Sequence, residues 1–218
     1  MIKNNIATMS RRRFLGLGGK IIGGTAVAVT LAGCGISARA LRDYSAKLET
    51  KNGLVVGFHG FLYDGLEDSL KRSTDAVGAE DYISWGNVNG AVKVAEIAYK
   101  HQRPIAGVGY SMGRWPMEEF VEKCGRKGIP VELGIAIDGV DPRPLKKVGD
   151  NLKRMVQIWG DNSTNFYLPR GRFYRDGDFE DSRKTDCPEP IIISNCGHLK
   201  MPERAESYVT SELRLAFA

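Results

Sequence analysis

The chain has 218 residues, with 31 basic against 26 acidic side chains and 42% hydrophobic residues, the composition of a globular chain with room for one domain of about 100–200 residues. Disorder, collagen and a disulfide-stapled miniprotein are excluded. Lys3, Arg11, Arg12, Arg13 and Lys20 stand among the first 33 residues without a single acid, so the other 185 balance 26 against 26 and lack the basic excess of a nucleic-acid binder.

Ser10-Arg11-Arg12-Arg13-Phe14-Leu15-Gly16 precedes the uncharged run Ile21 to Gly33, a charged n-region followed by an h-region. The run is shorter than the roughly 20 residues that cross a bilayer, and Lys20 blocks its extension. The first segment resembles a twin-arginine export signal, and Leu31-Ala32-Gly33-Cys34 resembles a bacterial lipobox. These resemblances imply a signal peptide over residues 1–33, a lipidated Cys34 and a bacterial envelope location on the membrane without spanning it. Gly35, where Asp often retains such lipoproteins in the inner membrane, favours the outer membrane or the periplasmic face. Residues 34–52 lack a strong period and are expected to be a tether to a domain over 53–218.

Within that domain, short apolar runs predict six strands. They are Leu54–Phe58, Tyr82–Trp85, Ile105–Gly109, Leu133–Ile137, Met155–Trp159 and Ile191–Ser194, and near-continuous apolar character suits strands of a buried parallel sheet. Ala91, Val94, Ala95 and Ala98 share one helical face, and Met117, Phe120, Val121 and Cys124 share another. Ala205, Val209, Leu213 and Phe217 mark a closing helix. Strand and helix alternate, which predicts an α/β fold with a mostly parallel sheet and helices on both faces. Residues 162–190 break the pattern with much charge and scattered aromatics, as a lid or a peripheral insertion does.

Gly109-Tyr110-Ser111-Met112-Gly113 lies between a predicted strand and a predicted helix, the context a Gly-x-Ser-x-Gly nucleophile turn requires. The sharp turn exposes the Ser111 hydroxyl, and the Met112 N–H at a helix start faces a developing oxyanion. The chain has three histidines, His59, His101 and His198. At this point the sequence resembles the α/β-hydrolase superfamily in a minimal, lipase- or esterase-like form, whose nucleophile, acid and histidine follow in that chain order. Only His198 follows Ser111, and its loop after the last strand matches the position of the family's general base. His59-Gly60-Phe61 resembles the family's His-Gly segment, which implies an oxyanion-hole N–H on Phe61, with Gly60 second. The acid has three candidates: Asp138 in Ile137-Asp138-Gly139, the best motif match, then Asp161 after the following strand, and Asp141 before Pro142.

The resemblance implies a serine hydrolase of carboxylic esters or thioesters acting through an acyl-enzyme on Ser111, on a small-molecule or lipid ester and without a cofactor. An acyltransferase with the same triad, or an inactive fold serving as an envelope scaffold, are the alternatives. Arg114-Trp115-Pro116 departs from the small residues that usually follow the motif, and an Arg114 lining the pocket would favour an anionic substrate. Cys124 falls on an apolar helix face. Cys187 and Cys196 bracket the last predicted strand, and two readings stand open: a disulfide that fixes the His198 loop in an oxidising compartment, or two free thiols. No Cys, His and Asp cluster has metal-ligand spacing, and neither a Walker loop nor a dinucleotide fingerprint is present.

Overall fold

The computed structural model describes residues 36–60, 65–139, 149–161 and 185–218. Six strands form one sheet: β1 Leu54–Phe58, β2 Glu80–Ser84, β3 Ile105–Tyr110, β4 Val131–Ile137, β5 Leu152–Gly160 and β6 Ile191–Ile193. Their order is β2-β1-β3-β4-β5-β6 and every pairing is parallel. All six predicted strands are present, with ends displaced by a few residues. Every residue of β1 and β3 is buried, because helices cover both faces and no alternation with solvent remains in those strands.

The helices are α1 Ala38–Leu48, α2 Gly65–Val77, α3 Val88–Lys100, α4 Arg114–Gly125 and α5 Met201–Ala216. Val56 and Phe58 share one core with Ala91, Val94 and Ala95 of α3 and Phe120 and Val121 of α4. Val55, Val108 and Ile135 share the other with Leu66 and Leu70 of α2 and Ala205, Val209 and Leu213 of α5. From β1 the chain moves out to β2 and returns to the opposite side of β1 as β3. Parallel α/β sheets open a crevice beyond the carboxyl ends of the strands at such a reversal, and this position holds the site described below.

Two expectations require correction. Part of the expected tether is α1, capped by the Ser37 hydroxyl on the Ala40 N–H. It buries Leu48 and packs Ile36, Leu41 and Tyr44 against the core. Of the two readings of Cys187 and Cys196, the disulfide is not formed: Cys187 packs with the α3–α4 core and Cys196 with the α2–α5 core, on opposite faces of the sheet. The end of the 162–190 segment is anchored. Thr185 is buried and bonds the Leu152 carbonyl at 2.7 Å, and Asp186 exchanges backbone bonds with Lys153 and Met155 of β5. Residues 162–184 lie outside the described residues. Among the described residues, no helix is long and apolar enough to cross a membrane.

Candidate active site

Ser111 leaves the carboxyl end of β3 with φ of +55°, a left-handed conformation that costs an L-residue roughly 1–2 kcal/mol. The glycines on either side make room for this turn. A Cβ on Gly113 would lie 1.9 Å from the Phe58 carbonyl oxygen, and one on Gly109 2.7 Å from Arg114 Cα. The two glycines therefore let β1, the turn and the start of α4 meet at backbone distance, and the turn delivers a largely buried Ser111 at the crevice.

Asp138 ends β4 with φ of +44°, tolerable because a short polar side chain reaches this region more readily than most. Its N–H donates to the Ile158 carbonyl at 2.7 Å and the side chain is buried. After β6 the chain turns at Asn195, φ +54°. The loop then presses on β5 so closely that a Cβ on Gly160 would sit 2.3 Å from the Cys196 carbonyl oxygen. His198 follows in the turn that opens α5.

These three residues meet. His198 Nε2 lies 2.9 Å from Ser111 Oγ, and Nδ1 bonds Asp138 Oδ2. An ionised carboxylate only accepts, so Nδ1 carries the proton and Nε2 keeps the lone pair that receives the Ser111 O–H. Asp161 is not brought in: it is exposed, and its Oδ1 receives the Cys196 N–H at 3.4 Å. Asp141 and Phe61 lie outside the described residues. Gly60 approaches the nucleophile, since a Cβ there would lie 3.1 Å from Ser111 Oγ. Met112 follows Ser111 in the single turn that leads into α4. His59 packs edge-on against Trp85, with centroids 5.0 Å apart, and His101 bonds Ser45 Oγ at the opposite end of α3.

The Arg114 side chain is wholly buried, Nε bonds Glu118 Oε1 at 2.9 Å, and its Cδ lies 2.6 Å from where a Gly139 Cβ would stand. It fills the space behind the turn that carries Asp138. One contributor escaped the sequence reading: Tyr110 is buried and bonds the His198 carbonyl. Its only signal was its place in the motif beside Ser111. Burial pushes the Cys124 thiol up to about 12, which makes it an inert member of the core. Among the described residues, no group of three or more His, Cys, Asp or Glu side chains is placed to hold a metal ion.

No family model and no curated protein sequence matches the chain. Solved structures do resemble it. An esterase from the bacterial hormone-sensitive lipase family is 12% identical, with a TM-score of 0.53 over 77% of this chain and 78% of that one. Human thioesterase 2 is 11% identical, with a TM-score of 0.53 over 76% of this chain and 96% of that one. At such identities the likeness is one of fold: the chain's six-stranded parallel sheet with its surrounding helices is an α/β fold that matches these hydrolase-fold proteins.

Proposed function

We propose that the protein is a serine hydrolase that cleaves a carboxylic ester or thioester through an acyl-enzyme on Ser111. The carrying observation is the relay from Ser111 Oγ through both ring nitrogens of His198 to the buried Asp138. Nε2 takes the hydroxyl proton as Ser111 attacks the acyl carbon, and Asp138 stabilises the imidazolium and holds the ring. The Met112 N–H, with that of Phe61, receives the oxyanion, and such donors contribute ~10²–10³ in rate each. Nε2 returns the proton to the leaving alcohol or thiol. Water then attacks the acyl-enzyme by the same relay and regenerates Ser111. An acceptor alcohol in place of water would make the site an acyltransferase.

The two neighbours named above are an esterase and a thioesterase, which supports the acyl-transfer class while leaving the acyl group open. The proposal includes export by the twin-arginine-like signal and acylation of Cys34, on the motifs described above. The test of the chemistry is the intact mass of the protein after an organophosphonate probe, beside Ser111→Ala and His198→Ala. One adduct on the parent protein, absent from both variants, is the expected result. A folded parent protein that gains no adduct would remove the hydrolase reading.

A further inference from the structure

We infer that α1 holds the domain on a lipid bilayer with the Ser111 edge turned toward it, so that the acyl substrate is an amphiphile presented from that bilayer. This rests on the proposed acylation of Cys34. The direction of α1 follows from contacts along its length. At its end, Arg103 donates to the Leu48 carbonyl at 3.0 Å through Nε and to the Glu49 carbonyl at 2.7 Å through Nη2. Ser45 meets His101, which caps the end of α3. Lys47 reaches Glu80, the first residue of β2, at 2.5 Å. Tyr44 packs edge-on against Tyr82, two residues further along β2, with centroids 5.8 Å apart.

Moving back along α1 therefore means moving forward along β2. From Tyr44 to Ala38 the helix rises about 9 Å, whereas β2 has only about 7 Å left between Tyr82 and its end at Ser84. The start of α1 thus comes out level with the carboxyl ends of the strands, the edge that carries Ser111, Asp138 and His198. Ile36 already packs against the core and Ser37 already caps the helix. Only Gly35 separates Cys34 from docked chain, and three residue steps from Cys34 to Ser37 span at most about 11 Å. A leash this short cannot let the domain turn over. The same edge carries the apolar groups that an interface accepts: Trp85, directly after β2, is 50% exposed, and Leu199, adjacent to His198, is 57% exposed. Tryptophan at headgroup depth and aliphatic side chains just below it suit a protein lying on a membrane.

The test uses the full chain, processed by an exporting host and reconstituted into phosphatidylcholine vesicles whose acyl chains carry bromine. Cys34 acylation is read by intact mass and Ser111 by the phosphonate adduct in the same sample. The expected result is quenched tryptophan emission that is lost in Trp85→Phe. It should also be lost when a flexible Gly-Ser segment of about ten residues is inserted after Gly35, a length that frees the domain to rotate, while acylation and labelling persist. Acylated, phosphonate-reactive protein with unquenched Trp85 would overturn the orientation and leave the hydrolase standing. Quenching that survives the insertion would overturn the steering by α1. Protein without an acyl group would remove the anchor and the orientation together, with the adduct still deciding the chemistry.

Discussion

The Tyr110 hydroxyl donates to the main-chain carbonyl of His198 at 2.8 Å, and the two rings stack with centroids 5.0 Å apart and planes 26° from parallel. The residue before the nucleophile thus grips the backbone of the general base, tying the end of β3 to the loop after β6. Such a bond fixes the stretch of backbone from which the imidazole reaches Ser111.

Tyr110→Phe keeps the stacked ring and deletes the donor. A net hydrogen bond is worth about 1 kcal/mol, so the variant should unfold at slightly lower denaturant. Where the bond is stronger in the transition state than in the substrate complex, kcat should fall by up to roughly tenfold, equivalent to ~1.4 kcal/mol, with KM little changed. Steady-state kinetics on a chromogenic ester separate the two. An unchanged kcat would show that Asp138 and packing suffice to place the ring.

Two glycines at the turn should fail in different ways. At Gly60 an added Cβ meets Ser111 Cβ at 2.8 Å and Oγ at 3.1 Å, so the nucleophile must shift away from its base. Displacements of about 1 Å cost on the order of 10²-fold in rate, and Gly60→Ala should lose phosphonate reactivity to that extent while melting as a folded protein. At Gly113 the added Cβ meets the Phe58 carbonyl oxygen at 1.9 Å. Backbone on both sides cannot yield, and Gly113→Ala should lower the melting temperature sharply or prevent folding. Equal melting of the two variants would contradict this division.

The sheet and the turn that carries Ser111 were legible in the sequence because their signals are local. Buried parallel strands write continuous apolar runs, and a turn between glycines at a strand end has few other uses. α2 was not legible, because its buried face uses Ser69, Ser73 and Thr74 beside Leu66 and Leu70, and small polar residues do not register as a hydrophobic period. α1 was hidden among Arg39, Arg42, Asp43 and Lys47. The choice among Asp138, Asp161 and Asp141 is a matter of which strand end faces His198, which chain order leaves open. Cys187 and Cys196 are close in sequence, yet the sheet between their cores is invisible in spacing alone.

Arg114 and Glu118 form a pair one helical turn apart, the guanidinium fully buried and the carboxylate 11% exposed. Removing one member of a buried pair typically costs ~3–5 kcal/mol because the other charge stays behind, whereas replacing both with apolar groups is often neutral. Arg114→Met should therefore destabilise the fold by about 3 kcal/mol. Glu118→Leu added to it should recover much of the loss. Chemical denaturation of the single and double variants checks this, and a double variant no more stable than Arg114→Met would show that packing against Gly139, rather than charge, is what the site needs.

The docking of α1 should weaken in alkali. Burial pushes the Tyr44 hydroxyl from 10.0 up to about 12, with the nearby Glu80 and Asp81 carboxylates adding to it. The hydrogen bond to Glu80 holds the Lys47 ammonium above its ordinary 10.5. A group with a raised folded-state pKa stabilises fully below its unfolded value and loses that contribution as pH climbs to the folded value. For Tyr44 the window runs from 10.0 to about 12, and Lys47 acts in the same direction above 10.5. Burial raises Tyr82, the ring against Tyr44, in the same sense. Circular dichroism should show helix lost across this window. Tyr44→Phe, which has no phenol to ionise, should hold its helix to higher pH. Coincident curves for the two proteins would mean that the Tyr44–Tyr82 contact does not govern the docking of α1.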